Sequence, residues 1–194
     1  MLEELKKEAM QNFVPILRDN TMKLIEERLE LLRPKKILEV GTAVGYSAIT
    51  FSKYLDEGGK IDTIERNDKR YEKALENISK FNLQNAINVI FGDAKEEMKK
   101  LPDSSNYDVI FIDAAKGQYI AFLEEAKRLV KNGGLIIADN VLFRGLVLSD
   151  YNEHKNRTAV NRLREFLKII KEEKCFDSEV IDIDDGVAFI TVNK

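Results

Sequence analysis

The chain has little of what secreted and membrane proteins depend on. It contains a single cysteine, Cys175, so no disulfide can form within it, and this suits a reducing cytosol. No apolar run approaches the roughly 20 residues that a membrane-spanning helix needs. Residues 1–13 are charged and lack the apolar core of a signal peptide. We expect a cytoplasmic protein with no membrane partner.

Histidine, proline and net positive charge are also scarce. His154 is the only histidine, and no second histidine or acid is spaced to form a triad or a metal pair with it, so we expect an ordinary surface residue. The net charge of −3 predicts no overall basic field for nucleic acid, although a local patch stays open. With 194 residues, 44% of them apolar, and three prolines, the chain suits one packed domain over residues 1–194.

Apolar residues switch repeatedly between helical and strand spacing. Residues 2–33 are helical in pattern apart from a break at Pro15, and Pro34 ends this N-terminal helical region, residues 1–33. Strands are then predicted at 36–40, 60–65, 87–91, 107–113 and 135–139, separated by helices at 46–55, 68–81, 95–101 and 119–130. This alternation indicates right-handed crossovers and a parallel sheet covered on both faces. The predicted fold class is α/β, with a doubly wound sheet.

The C-terminal segment departs from this alternation. After an amphipathic helix at 156–174, strands are predicted at 178–184 and 186–192, joined only by Asp185 and Gly186. So short a joint cannot hold a crossover helix, and the two strands must form an antiparallel hairpin. We expect a mostly parallel seven-stranded sheet ending in this hairpin. That layout resembles the Rossmann-like fold of class I S-adenosylmethionine-dependent methyltransferases.

Two predicted strands end abruptly in polar side chains. Asp113 follows the apolar run 107–112, and Asp139 and Asn140 follow residues 133–138. Because parallel strands deliver their carboxyl ends to one edge of a sheet, we expect these three side chains to lie close together. Hard oxygen ligands with no histidine or cysteine nearby suit Mg²⁺ or a similar hard divalent cation rather than zinc.

A third strand end carries a turn of small residues. Gly41 and Gly45 are spaced G-x-x-x-G, one residue off the G-x-G-x-x-G fingerprint, so a dinucleotide cofactor is disfavoured. Small residues let backbone amides approach a ligand, and Ser47 at the start of the next helix can donate to a cofactor carboxylate. A tight strand-to-helix turn without any ligand is an equally open interpretation.

Acids at the next two strand ends favour a nucleoside-like ligand. Glu65 lies about twenty residues beyond the glycine turn, where a carboxylate can accept hydrogen bonds from both ribose hydroxyls of an adenosine. Asp93 and Ala94 follow the third strand, where an acid beside a small residue can contact adenine. Asp93 also suits the N-cap of a helix. Several acids in register along one edge nevertheless favour ligand binding.

Five strings carry a more specific resemblance: ILEVGTAVGYSAI, TIERN, GDA, YDVIFIDAAKGQY and DNVLFRG. In this order and spacing they resemble the catechol and caffeoyl-coenzyme A O-methyltransferase superfamily, and within it most the bacterial tRNA 5-hydroxyuridine methyltransferases. The resemblance implies a metal held by Asp113, Asp139 and Asn140, with Lys116 as general base. It implies cofactor contacts around the turn at Gly41 and at Leu17, Ser47, Glu65, Asp93, Ala94 and Asp113. A homodimer is also expected.

The chemistry implied by this resemblance needs an acceptor with two adjacent oxygens, because a bound metal can hold both and lower the pKa of the hydroxyl. A catechol has such a pair, and so does 5-hydroxyuracil. We expect 5-hydroxyuridine at the wobble position of the tRNA anticodon loop, with Arg144 and a basic segment at 155–171 contacting phosphates. The alternatives are a small catechol-like or caffeoyl-CoA-like acceptor and, in another class, a non-catalytic cofactor-binding or RNA-binding protein.

Overall fold

The computed structural model describes residues 1–150 and 153–194. Its helices are α1 (Leu2–Gln11), α2 (Asp19–Leu32), α3 (Tyr46–Phe51), α4 (Asp68–Lys80), α5 (Ala94–Lys100), α6 (Tyr119–Leu129) and α7 (Arg157–Glu172). Its strands are β1 (Lys36–Val40), β2 (Lys60–Glu65), β3 (Ile87–Phe91), β4 (Tyr107–Ile112), β5 (Val130–Asp139), β6 (Phe176–Ile181) and β7 (Val187–Val192). Short 3₁₀ helices lie at Ser52–Tyr54, Asp103–Ser105 and Lys116–Gln118.

The strands form a seven-stranded mixed sheet in the order β3-β2-β1-β4-β5-β7-β6. The pairs β1–β2, β2–β3 and β4–β5 are parallel, whereas β7 pairs antiparallel with both β5 and β6. The predicted α/β class and the mostly parallel sheet with a C-terminal hairpin are therefore confirmed. Among the described residues, no helix has both the length and the apolar character required to cross a bilayer.

The C-terminal hairpin has a longer joint than the sequence predicts. β6 ends at Ile181 and β7 begins at Val187, so residues 182–186 connect them. The carbonyls of Asp185 and Gly186 accept hydrogen bonds from the amides of Val141, Leu142 and Phe143 instead of extending the hairpin ladder. The joint therefore supports the loop that follows β5. The prediction for β5 also needs correction, since this strand begins at Val130.

The chain divides into two compact units, Met1–Lys100 and Leu101–Lys194. In the first unit, β1 is buried except at its first residue, as expected of an interior parallel strand. α4 begins after Asn67, whose side chain accepts a hydrogen bond from the Arg70 amide at 3.0 Å and so caps the helix. Val40 lies opposite Ile64 in the parallel register, which sets the glycine turn after β1 beside the end of β2.

In the second unit, the register of β4 and β5 decides where the polar groups lie. Ile112 is paired with Ala138, and the residue that follows each of them is an aspartate. At the start of α6, the ring of Tyr119 packs edge-on against Phe166 of α7, with the ring centres 5.6 Å apart. Both rings are fully buried, so this contact belongs to the core of the second unit.

Position 186 requires glycine because of its backbone conformation and because Leu142 lies close to it. Its φ is +82°, and a Cβ there would lie 2.7 Å from the Cβ of Leu142. Gly133 also has a positive φ, +73°, but a Cβ there would meet nothing within 4 Å. We predict that Gly186→Ala destabilises the protein by about 1–3 kcal/mol more than Gly133→Ala, because only the former adds a clash to the backbone strain. Urea denaturation of both variants measures the difference, and equal losses would contradict the packing argument.

Candidate active site

The structure brings Asp139 and Asn140 into one hydrogen-bonded group at the end of β5. The Asn140 backbone amide donates to Asp139 Oδ1 at 2.7 Å, and its side-chain amide donates to Asp139 Oδ2 at 2.9 Å. Asn140 has a φ of +57°, a left-handed conformation that asparagine tolerates better than most residues. Asp113 follows β4, the parallel neighbour of β5. Asp113, Asp139 and Asn140 together are called the oxygen cluster below.

Lys116 supplies a positive charge to this cluster. Its Nζ donates to Asn140 Oδ1 at 3.1 Å and lies 5.3 Å from the centre of the Phe143 ring. The 3₁₀ helix Lys116–Gln118, which begins three residues after Asp113, carries this lysine. The four residues that the sequence assigns to metal binding and proton transfer therefore lie within one unit and share one electrostatic environment.

The two aspartates disfavour each other's charge. The pKa of Asp139 is raised from 3.8 to about 7, first by burial and then by the negative charge of Asp113. Burial likewise raises the pKa of Asp113. The Lys116 ammonium acts in the opposite direction on both pKa values but does not cancel the effect. The oxygen cluster is therefore short of positive charge.

The donors of the oxygen cluster fit a hard divalent cation. They are two carboxylates and one amide oxygen, the ligand types that Mg²⁺ and similar cations take, and they offer neither nitrogen nor sulfur. A cation would relieve the mutual repulsion of Asp113 and Asp139. The oxygen cluster contains two acids and one amide, and no group of three or more His, Cys, Asp or Glu side chains in the described residues is placed to hold a metal.

Tyr119 is a member of this site that sequence reasoning did not select. Its side chain is fully buried and its hydroxyl donates to the backbone carbonyl of Asp139 at 2.6 Å. Burial, followed by the charges of Asp113 and Asp139, raises the pKa of Tyr119 well above its ordinary value, so the phenol stays protonated and able to donate. The available signal was a tyrosine three residues after Lys116, at the start of a helix.

In the first unit, Glu65 holds the glycine turn. Its Oε2 accepts from the Ala43 amide and its Oε1 from the Asn67 amide, both at 2.8 Å. The turn needs this support because Gly41, Ala43 and Gly45 all have positive φ. Each carboxylate oxygen retains a second lone pair, so Glu65 can still accept a hydrogen bond from a ligand.

A second buried acid, Glu39, lies under the same turn. It has no exposed surface, and it accepts hydrogen bonds from the hydroxyls of Ser47 and Thr63. Thr63 is in turn 2.6 Å from the hydroxyl of Thr42. The sequence predicts that Ser47 faces a cofactor, whereas its hydroxyl here faces Glu39. A glutamate inside the apolar strand KILEV was the signal for this site, and the prediction did not include it.

The remaining candidate cofactor residues have local partners. Asp93 Oδ1 accepts from the Lys95 amide at 3.0 Å, so Asp93 does cap α5, and its Oδ2 lies 3.7 Å from an Arg66 nitrogen. Ala94 is the first residue of α5. Leu17 is buried and lies in the segment of the chain that connects α1 to α2. A cavity of about 370 Å³ in the first unit is lined by Val44 of the glycine turn and by residues of α1 and α4.

The predicted phosphate-binding patch is weaker than the sequence suggests. Arg164 turns onto the loop after β5 and donates to the carbonyls of Leu146, Val147 and Ser149. Arg162 pairs with Glu165 at 2.8 Å, and Lys168 lies 3.9 Å from Glu172. Arg144 is exposed, with a φ of +57°. His154 is exposed, as predicted.

Comparison with known proteins identifies the family of the chain. A family model described as O-methyltransferase matches residues 1–192. The chain belongs to the O-methyltransferase family. Relatives include a Caffeoyl-CoA O-methyltransferase of Populus kitakamiensis, 32% identical over 82% of this chain and 70% of the relative. A Catechol O-methyltransferase of Niastella koreensis is 31% identical over 84% of this chain and 74% of the relative.

Solved structures lead to the same family. The O-methyltransferase from Bacillus cereus, in complex with SAH, superposes with a TM-score of 0.90 at 28% identity, covering 99% of this chain and 90% of that one. The chain is thus an S-adenosylmethionine-dependent O-methyltransferase of the caffeoyl-CoA and catechol type, with the Rossmann-like methyltransferase fold. This excludes the interpretation as a non-catalytic binding protein.

The raised pKa of Asp139 predicts how the stability of this O-methyltransferase depends on pH in the presence of a chelator. Since the folded-state pKa is about 7 and the ordinary value is 3.8, the folded protein binds more protons than the unfolded chain between these pH values. The contribution of Asp139 to the free energy of unfolding therefore falls as the pH rises through that window.

Asp139→Asn, which keeps the shape but cannot ionise, removes this contribution. We predict that wild type loses stability relative to Asp139→Asn as the pH rises from about 4 to about 7. Urea denaturation of both proteins in chelator at several pH values measures the difference. A difference that is independent of pH would contradict the raised pKa of Asp139.

Proposed function

We propose that this enzyme methylates one hydroxyl of a small molecule that carries two adjacent oxygens, of the catechol or caffeoyl-CoA type, with the help of a hard divalent cation such as Mg²⁺. The observation that carries the proposal is the oxygen cluster, in which two mutually repelling carboxylates and an amide oxygen lie beside Lys116. The names of the relatives from Populus kitakamiensis and Niastella koreensis support this acceptor class.

The residues of the first unit would hold S-adenosylmethionine, whose sulfonium supplies an electrophilic methyl group. The backbone of the glycine turn at Gly41 would approach the ligand, and Glu65, which accepts from the Ala43 and Asn67 amides, would also accept hydrogen bonds from the ribose hydroxyls. Ser47, Asp93, Ala94 and Leu17 complete the proposed set in this unit.

Asp113, Asp139 and Asn140 would hold the cation, which when bound lowers the pKa of a coordinated hydroxyl. Lys116 is the proposed general base. The Asn140 Oδ1 contact and the Phe143 ring fix its Nζ beside the oxygen cluster, and a neutral amine there would accept the proton that the substrate hydroxyl loses. The substrate oxygen, left negatively charged, would then attack the methyl carbon, and the bond from this carbon to sulfur would break to release S-adenosylhomocysteine.

We further propose one methyltransferase domain over residues 1–194, a homodimer and a cytoplasmic location. The family match over residues 1–192 supports the single domain. The homodimer rests on the family resemblance of the sequence. The single cysteine supports a reducing compartment.

The wobble 5-hydroxyuridine of tRNA is a second candidate acceptor. Its 5-hydroxyl and 4-carbonyl offer the same oxygen pair, and the exposed Arg144 lies four residues after Asn140, where a phosphate contact is feasible. The engagement of Arg162 and Arg164 by protein groups leaves fewer basic side chains for RNA, and this favours the small acceptor.

A comparison of two acceptors, each supplied separately, tests the proposal. The enzyme is incubated with labelled S-adenosylmethionine, Mg²⁺ and either a catechol or undermodified tRNA. We predict that the catechol acquires the label and that chelator or Asp139→Asn abolishes transfer, because either change removes the cation from the oxygen cluster. Asp177→Asn, an exposed acid of the same unit, is the matched control and should retain activity.

Two results would overturn parts of the proposal. Full activity in excess chelator would exclude the metal. A label that enters tRNA in preference to catechol, at a rate that falls steeply with salt and is reduced by Arg144→Ala, would replace the small acceptor by RNA.

The cofactor assignment has its own test. We predict that Glu65→Gln weakens S-adenosylmethionine binding by about 1.5–3 kcal/mol, since a charged acceptor is lost, and that the chemical step suffers less than binding. Calorimetry compares this variant with Glu72→Gln, an exposed acid on α4 of the same unit. Wild-type affinity in Glu65→Gln would remove Glu65 from the cofactor site.

A further inference from the structure

The peptide that joins Asp139 to Asn140 is held at both of its polar ends. Its carbonyl accepts a hydrogen bond from the Tyr119 hydroxyl at 2.6 Å, and its amide donates to Asp139 Oδ1 at 2.7 Å. These two residues supply two of the three proposed cation ligands. The orientation of this one peptide therefore sets the direction of both side chains.

This peptide would not hold its orientation by backbone preference alone. Asn140 has a φ of +57°, in the left-handed region that residues with a Cβ adopt at an energetic cost. The bond between the Asn140 amide and Asp139 Oδ1 is local and turns with the residue. The bond from Tyr119 comes from a different element, 20 positions away in the sequence, and fixes the peptide to the core of the second unit.

Tyr119 is itself immobilised. It has no exposed surface and its ring packs edge-on against Phe166, 82° from parallel. It also follows directly after the 3₁₀ helix that carries Lys116. A single phenol thus connects the turn bearing Lys116 to the strand end bearing Asp139 and Asn140.

We propose that Tyr119 is a positioning residue: its hydroxyl, by holding the carbonyl of Asp139, orients Asp139 and Asn140 for binding a divalent cation. The inference rests on the proposed metal site and adds a residue that never touches the cation. Groups that orient metal ligands from outside the coordination sphere commonly change metal affinity by about 10- to 100-fold. A merely structural tyrosine would change stability and leave metal affinity unaltered.

The test measures metal binding and does not depend on catalysis. Metal-free protein is titrated with Mn²⁺, and free Mn²⁺ is followed by electron paramagnetic resonance. We predict that Tyr119→Phe weakens Mn²⁺ binding by about 10- to 100-fold relative to wild type. The control is Tyr107→Phe, which also removes a buried hydroxyl in the same unit but at the opposite end of β4 from Asp113. This control should bind Mn²⁺ with wild-type affinity, whatever stability it loses.

A third variant separates the hydrogen bond from the fold. Tyr119→p-aminophenylalanine keeps a donor at the same position, and we expect it to bind Mn²⁺ within a few-fold of wild type. If Tyr119→Phe is unfolded at the assay temperature, the amino variant carries the test, because a folded amino variant with 10-fold weaker binding would overturn the proposal.

The other outcomes are equally distinct. Wild-type Mn²⁺ affinity in Tyr119→Phe would overturn the role of Tyr119 and leave the metal site intact. Equal weakening in Tyr107→Phe would show a general effect of stability and would also overturn it. Failure of wild type to bind Mn²⁺ would overturn the proposed metal site, and with it this inference.

Discussion

Burial of Asp139, together with the negative charge of Asp113, is the constraint on which the proposed site in the second unit depends. Parallel pairing of β4 and β5 sets Asp113 and Asp139 at adjacent strand ends, and the charge of one raises the pKa of the other. The nearby groups moderate this repulsion without removing it: Lys116 adds a positive charge, and Asn140 donates to both carboxylate oxygens of Asp139. Such an arrangement is costly for a protein without a ligand, and it is what a divalent cation needs. The proposed metal-assisted chemistry follows from this shortage of positive charge beside Asp113 and Asp139.

The buried acids of the first unit, Glu39 and Glu65, support the glycine turn and the strands beside it. The side-chain oxygens of Glu65 accept hydrogen bonds from two backbone amides, and those of Glu39 accept from two hydroxyls. These bonds also fix the glycine turn, whose positive φ values would otherwise be strained. The same residue class therefore serves two purposes. In the first unit, acids hold the glycine turn through hydrogen bonds, and in the second unit, the charge of Asp113 raises the pKa of Asp139, a proposed cation ligand.

The sequence predicts much of this arrangement and misses its long-range contacts. Apolar runs are local signals, so most strand bounds agree with the structure, and the meeting of Asp113 with Asp139 follows from the alignment of parallel strand ends. Glu39 was missed because its partner Thr63 is 24 residues away, and Tyr119 because its partner is a backbone carbonyl. The sequence predicts too short a hairpin joint because the carbonyls of the joint accept hydrogen bonds from the loop after β5, a long-range contact. Arg164 suggested phosphate binding because nothing local shows that it contacts loop carbonyls.

The central claim is that the oxygen cluster, through a divalent cation, binds a pair of adjacent oxygens and favours ionisation of the hydroxyl. The most direct measurement is the absorbance of 4-nitrocatechol, which changes when its hydroxyl ionises, during titration with enzyme and Mg²⁺ below the pKa of the free catechol. We predict the spectrum of the ionised form on binding to wild type, and no such spectrum in chelator or with Asp139→Asn. An ionised spectrum that persists without Mg²⁺, or binding to wild type with Mg²⁺ that leaves the catechol protonated, would contradict it.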